Sequence, residues 1–252
     1  MISIETQPVG DQILQVRFGT SISPEINEQI RTFCITLEHL NLGEIVEWVP
    51  SYTTVSIYYD PFKSTYENVQ QKVHQVIYKM RRVELPPRNI ITLPVCYDEE
   101  FGPDLLDVAK YNKLSVEEVI KLHCKEKYLV YMIGFTPGFP YLGGLNPAIA
   151  TPRLEVPRQL VEKGSVGIAG SQTGVYSLSS PGGWRIIGRT PVPLFNDKCS
   201  PPSLLNAGDF LRFESITKQQ YRQIEEQVKL NKYTVSIHHE ESDGNETNNR
   251  LE

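Results

Sequence analysis

Eleven of the 17 glycines and ten of the 18 prolines fall within residues 134–202. No other feature of this 252-residue sequence constrains its fold as strongly. Both residue types interrupt helices: glycine through backbone entropy, proline through its missing amide hydrogen. Between them lie short apolar runs, SVGIAG (165–170), VYSL (175–178) and WRIIG (184–188). Short strands punctuated by turn residues indicate a barrel or sandwich rather than a parallel α/β sheet. Flanking segments extend the same architecture. A strand is predicted at 90–95, then short helices near 103–111 and 115–124, the second opened by a Ser115–Glu118 capping box. The continuous apolar run YLVYMI (128–133) reads as a strand buried on both faces. A strand at 210–214, a helix at 217–230 and a closing strand at 233–237 complete this part.

Residues 1–88 have a different texture. Ile13, Val16 and Phe18 mark a strand, and Ser23-Pro24 supplies a cap followed by proline at the first helical position. Ile26, Ile30, Phe33, Cys34, Leu37 and Leu40 then repeat at three and four, so one helix face is buried. EIVEWVP (44–50) and TTVSIYY (53–59) read as paired strands, and Ser64 to Glu67 as a capping box opening a second helix. The pattern predicts a small α/β unit, an antiparallel sheet with helices on one side. Leu85-Pro86-Pro87-Arg88 stiffens the boundary with a second domain over 89–237.

The net charge of −5 is concentrated at one end. Residues 238–252 hold five acids and one arginine, leaving the body at −1. That acidic tail lacks aromatics and is expected to be disordered. The body has no basic stripe to follow phosphates, so no nucleic-acid partner is expected. No run of about 18 uncharged apolar residues exists, so no membrane span is expected either. The first ten residues do not read as a secretory signal, and a cytoplasmic location is expected. Cys34, Cys96, Cys124 and Cys199 form no CxxC pair, which argues against zinc and disulfide frameworks.

Against the whole-chain charge, residues 134–202 carry six basic and three acidic side chains. Bare backbone amides and guanidinium forks suit a small anion. The arginines of this segment, Arg153, Arg158, Arg185 and Arg189, are therefore either anion ligands or solvated strand ends. In the stiff segment FTPGFPY (135–141), Phe135, Pro137, Gly138, Phe139 and Tyr141 form either a ligand wall or a plug at one end of the barrel. His123 shares a helix face with Val116, Val119 and Ile120, and is either a general base or a satisfied core histidine. Gln172 either orients an amide or is a polar hairpin residue. The chain has no GxxxxGK[ST] loop, GxSxG elbow or HExxH motif. No metal is expected, and any ATP is not held by a P-loop of this chain.

GFTPGFPYLGGL (134–145), GSVGIAGSQTGVYSLSSPGGWRIIGRTP (164–191) and LNAGDFLRFE (205–214) resemble the allophanate-hydrolase subunit 1 family. That family includes the B-type subunit of 5-oxoprolinase, as well as an inhibitor of a sporulation histidine kinase. The resemblance implies a mainly β, α+β chain: a cyclophilin-like β-barrel behind a small N-terminal α/β domain. It implies a hydrolase acting on a cyclic amide, active only in a complex with a homologous C-type protein and a separate A-type protein. The assembled enzyme would use ATP to open 5-oxo-L-proline to L-glutamate, with no biotin on this chain. The alternative it implies is an inhibitor that binds a sensor histidine kinase and blocks autophosphorylation. Prolyl isomerisation would rest on the implied fold alone. The resemblance carries His123, Arg158 and Gln172 as catalytic candidates. It carries Phe135, Pro137, Gly138, Phe139, Tyr141, Arg153 and Arg189 as ligands of a small anionic amide.

Overall fold

The computed structural model describes residues 4–240. The N-terminal unit comprises β1 (Glu5–Pro8), β2 (Ile13–Arg17), α1 (Pro24–Leu40), β3 (Ile45–Pro50), β4 (Thr54–Tyr59) and α2 (Tyr66–Lys79). Its sheet runs β1-β2-β4-β3, antiparallel throughout. Alternation decides which face is covered: Leu14, Val16, Val55 and Ile57 are buried together with Ile30, Phe33, Val69 and Val73 of the two helices. Each such aliphatic side chain contributes about 1.5–3 kcal/mol on burial. Ser23 caps α1 as expected, its Oγ accepting from the Ile26 amide. The cap of α2 differs from the expected Ser64–Glu67 box. Thr65 accepts from the Asn68 amide, and because Asn68 stands at the third helical position no glutamate can return the bond. Strand β1 is short and mostly exposed, and it lacks the apolar alternation by which strands are read.

The second unit is a closed barrel. It contains β5 (Asn89–Cys96), α3 (Leu105–Asn112), α4 (Val116–Lys125), β6 (Tyr128–Ile133), β7 (Pro140–Gly143), β8 (Arg158–Val161), β9 (Ser165–Ala169) and β10 (Gln172–Val175). β11 (Ser180–Gly182), β12 (Arg185–Arg189), β13 (Phe210–Ile216), α5 (Lys218–Lys229) and β14 (Ser236–His239) follow. Seven strands run β12-β9-β10-β7-β6-β13-β5, and β12 returns to β5 through Arg189 and Cys96. β13 and β5 pair in parallel over seven residues; the other pairings are antiparallel. β8 and β11 form a separate two-stranded ribbon. This is the cyclophilin-like barrel that the resemblance implied, with α+β, mainly β content.

Several boundaries move. The run 175–178 is not a strand of its own; β10 spans Gln172–Val175, because its pairing with β9 starts at the Gly170 turn. The closing strand is Ser236–His239 rather than 233–237, and it pairs with the outer edge of β5 from Asn89 to Thr92. His238 and His239, expected in the tail, thus belong to the sheet. Glu240, also expected in the tail, donates its amide to the Arg88 carbonyl (2.8 Å), and the rest of that expectation, 241–252, lies outside the described residues. Among the described residues no helix is long and apolar enough to cross a membrane.

The buried run of β6 has a physical cause. Tyr128 and Val130 enter the barrel core, while Leu129 and Tyr131 point outward yet stay buried. Part of that outer side meets the N-terminal unit: Tyr52 packs against Tyr131 at 5.6 Å between ring centroids, and Asn27 lies 3.5 Å from the Tyr131 carbonyl.

Candidate functional site

The segment 134–139 closes on itself. The Gly134 amide donates to the Phe139 carbonyl (3.0 Å), the Thr136 amide to Gly134 (2.8 Å) and the Phe139 amide to Thr136 (3.0 Å). Pro137 and Gly138 occupy the central positions of the last turn, and the φ of +77° at Gly138 is one that glycine adopts without cost. A side chain there would also strike Phe195 and the Leu194 carbonyl. Phe135 takes φ +64° without being glycine. The Thr136–Gly134 bond spans it, the arrangement of a γ-turn, so strain is held at this residue. The result is an aromatic ring 64% exposed on a rigid loop.

That ring forms one lip of a hollow of about 290 Å³ on the barrel surface. Phe139, Tyr141, Tyr176 and Trp184 make its walls, Gly182 and Gly183 an edge, and Arg153 its cation. The aromatics interlock edge to face: Phe139 meets Trp184 at 5.6 Å, Tyr176 at 5.6 Å and Tyr141 at 5.2 Å. Gly174 makes this possible, since a Cβ there would lie 2.9 Å from Trp184 and 3.2 Å from Phe139. The Arg153 guanidinium stands 5.9 Å over the Trp184 ring and has no ion pair or hydrogen bond among the described residues. Its charge is available to a ligand. Burial raises the Tyr176 hydroxyl above the usual phenol range, opposed by a bond from the Trp184 backbone and by Arg153 and Arg158.

Four of the residues singled out from sequence, Phe135, Phe139, Tyr141 and Arg153, meet in this hollow. Pro137 and Gly138 shape the loop behind it. Arg158 is beside it but committed: Nη2 donates to Asp104 Oδ1 at 2.7 Å, and Nη1 reaches the Trp184 carbonyl at 3.4 Å. Asp104 is 4% exposed, and its second oxygen accepts from the Ile186 amide at 2.6 Å. The pair therefore braces the strand that follows Trp184. Arg189 ends that same strand; four residues beyond Arg185, it is roughly 13 Å away at ordinary strand rise. Its guanidinium sits 5.8 Å over Phe101. The expected three-arginine cradle is thus not formed, because Arg158 is spent on Asp104 and Arg189 lies at the far end of β12.

His123 is fully buried in the barrel, stacked on Phe213 at 4.4 Å. The Thr173 hydroxyl donates to the Gly167 carbonyl (3.0 Å), so its oxygen accepts from His123 Nε2 (2.9 Å). Nδ1 is then the acceptor for the Tyr97 hydroxyl at 2.7 Å. Burial lowers the imidazole pKa from 6.5 to about 3. This is a neutral, satisfied core histidine with no route to a ligand, which corrects the general-base expectation. Gln172 also turns elsewhere: its Nε2 donates to the Tyr52 hydroxyl at 2.7 Å, across the two units.

Sequence reasoning did not place Trp184, Tyr176 or Asp104 at the site. The PGGW turn at 181–184 was the available signal for Trp184. Asp104 had none, because an aspartate before a helix reads as a cap, and here it makes no capping bond. A larger groove of about 870 Å³ lies beside the linker. Its Lys127 and Arg88 already face Glu240 (3.2 Å) and Glu28 (3.9 Å), which weakens its attraction for an anion. The smaller hollow, with its aromatic walls, is the candidate ligand site. It does not fit a triphosphate, having one free guanidinium and no phosphate-cradling loop at a helix start.

A cyclophilin-like barrel with an aromatic–arginine hollow and a small α/β companion defines the class. Residues 4–205 match the family described as carboxyltransferase domain, subdomain C and D, and the chain belongs to that family. The allophanate-hydrolase subunit 1 resemblance agrees with this. The chain is 39% identical over 236 residues to the 5-oxoprolinase B-type subunit from Bacillus subtilis (strain 168), covering 90% of this chain and 98% of that protein. It is 34% identical to the solved structure of TTHA0988, with a TM-score of 0.73, covering 81% of this chain and 40% of that one. The Kluyveromyces lactis urea carboxylase shares the fold at TM-score 0.73 and 19% identity, covering 94% of this chain and 24% of that one. The chain thus spans nearly all of one relative and less than half of two longer ones.

Proposed function

We propose that this chain is the B-type subunit of an ATP-dependent 5-oxoprolinase, working with a homologous C-type protein and a separate A-type protein to open 5-oxo-L-proline to L-glutamate. The name of the Bacillus subtilis relative supports that assignment. The observation that carries the chemistry is a cation set on an aromatic wall, Arg153 over Trp184, in a hollow of about 290 Å³. A flat five-membered lactam fits against Phe135 and Trp184, and its carboxylate pairs with the Arg153 fork. Among the described residues no carboxylate, imidazole or thiol lines the hollow. This chain therefore binds and orients, and the group that moves protons comes from a partner. ATP is used by the assembly, and no step here is routed through it.

The test is ATP-dependent glutamate release from 5-oxo-L-proline with the other subunits supplied. Arg153→Ala is expected to raise KM by about 10- to 100-fold, the worth of a charge-assisted bond. Lysine should restore little, since it cannot form the fork. A wild-type chain that never supports glutamate release, yet blocks autophosphorylation of a sensor histidine kinase, would overturn this reading.

A further inference from the structure

Tyr52 belongs to the N-terminal unit, in the turn between β3 and β4 that the Ser51 amide closes on the Thr54 carbonyl (2.7 Å). Its side chain leaves that unit altogether. The hydroxyl accepts from Gln172 Nε2 at 2.7 Å, and the ring packs against Tyr131 (5.6 Å) and Tyr141 (6.0 Å) of the barrel. Tyr141 is a wall of the hollow and touches Phe139 at 5.2 Å, which in turn meets Trp184 at 5.6 Å. A continuous line of edge-on rings thus runs from the N-terminal unit to the tryptophan beneath Arg153.

We propose that Tyr52 is a positioning residue: through it the N-terminal unit holds the Tyr141–Phe139–Trp184 wall, so ligand grip in the barrel hollow depends on a residue outside the barrel. The proposal rests on reading the hollow as the substrate site. Packed aromatic edges leave little rotational freedom, and removing one ring frees its neighbour to turn. Gln172 then has a defined task, fixing the Tyr52 hydroxyl rather than contacting a substrate. Burial keeps that hydroxyl neutral by raising its pKa, with the Gln172 bond opposing.

Two measurements on the full chain test this. The first uses a Trp48→Phe background, where Trp184 is the sole tryptophan. Tyr52→Ala is expected to increase iodide quenching of Trp184 at least about twofold, with Tyr52→Phe restoring most of the protection. The second uses the assembled enzyme. Tyr52→Ala should raise KM for 5-oxo-L-proline on the order of tenfold with kcat within about twofold, and Tyr52→Phe should recover most of the loss. Gln172→Leu, which removes only the hydroxyl's partner, should fall between them. Unchanged quenching in Tyr52→Ala would overturn the proposal, as would a loss of kcat at unchanged KM. If the wild-type assembly releases no glutamate, the proposed function fails while the quenching result still decides the role of Tyr52.

Discussion

Replacing His123 by glutamine isolates the cost of burying an imidazole. In the folded chain His123 is held neutral, its pKa lowered from 6.5 to about 3 by burial. Between those values the unfolded chain binds the extra proton and the folded chain does not, so stability rises with pH across the window. The contribution is fully present above pH 6.5 and is lost progressively as pH falls towards 3. At pH 4.5 the unfolded imidazole lies two units below its pKa, which costs the folded state about 2.7 kcal/mol relative to pH 7.5. Glutamine removes that proton without introducing another. Urea denaturation at pH 7.5, 6.0 and 4.5, followed by tryptophan emission, should show the wild-type advantage over His123→Gln shrinking by about 2.7 kcal/mol between the extremes. Carboxylates common to both chains cancel in the difference. A gap constant within about 0.5 kcal/mol would refute the reasoning, because His123 would then titrate alike in both states.

Asp104→Ala strips the acceptor from both Arg158 and the Ile186 amide. Thermal or urea denaturation should record a loss of about 3 kcal/mol, at the low end for a broken buried pair because Arg158 is partly exposed; a loss under about 0.5 kcal/mol would show that the brace is idle. Gly174→Ala drives a methyl group against Trp184 and Phe139. It should cost about 1–3 kcal/mol and shift Trp184 emission, and an unaltered spectrum at wild-type stability would mean the aromatic wall is loosely packed.

What the sequence revealed follows from the range of the interactions concerned. α1 was legible because its cap and its apolar repeat are local, and β6 because six consecutive apolar residues have few other uses. β8 and β11 were not, since each is a short, mostly uncovered strand stabilised by pairing with the other rather than by its own pattern. Phe135, Phe139 and Tyr141 were legible as parts of a stiff aromatic loop, because the prolines fix its path, but the sequence left ligand wall and barrel plug open, and only the tertiary structure sets the three around one hollow. The arginines were not separable: Arg153, Arg158 and Arg189 look alike in sequence. Only tertiary contact assigns one to a free hollow, one to a buried aspartate and one to Phe101.

The same contacts bear on how the site works. Polar side chains around the hollow are committed to the protein itself: Arg158 to Asp104, Gln172 to Tyr52, Thr136 to Ser177 at 3.1 Å. Engaged groups hold geometry, and a preformed geometry lowers the entropy cost of binding. Bond cleavage in a lactam needs more than that, because the carbonyl must be activated and a proton delivered to the leaving nitrogen. Besides Arg153, the titratable side chains lining the hollow are Tyr141 and Tyr176, and burial makes Tyr176 a poorer acid than free phenol. On the proposed reading this rigid, acid-poor hollow is half of an active site, and the partner brings its acid or base past the exposed ring of Phe135.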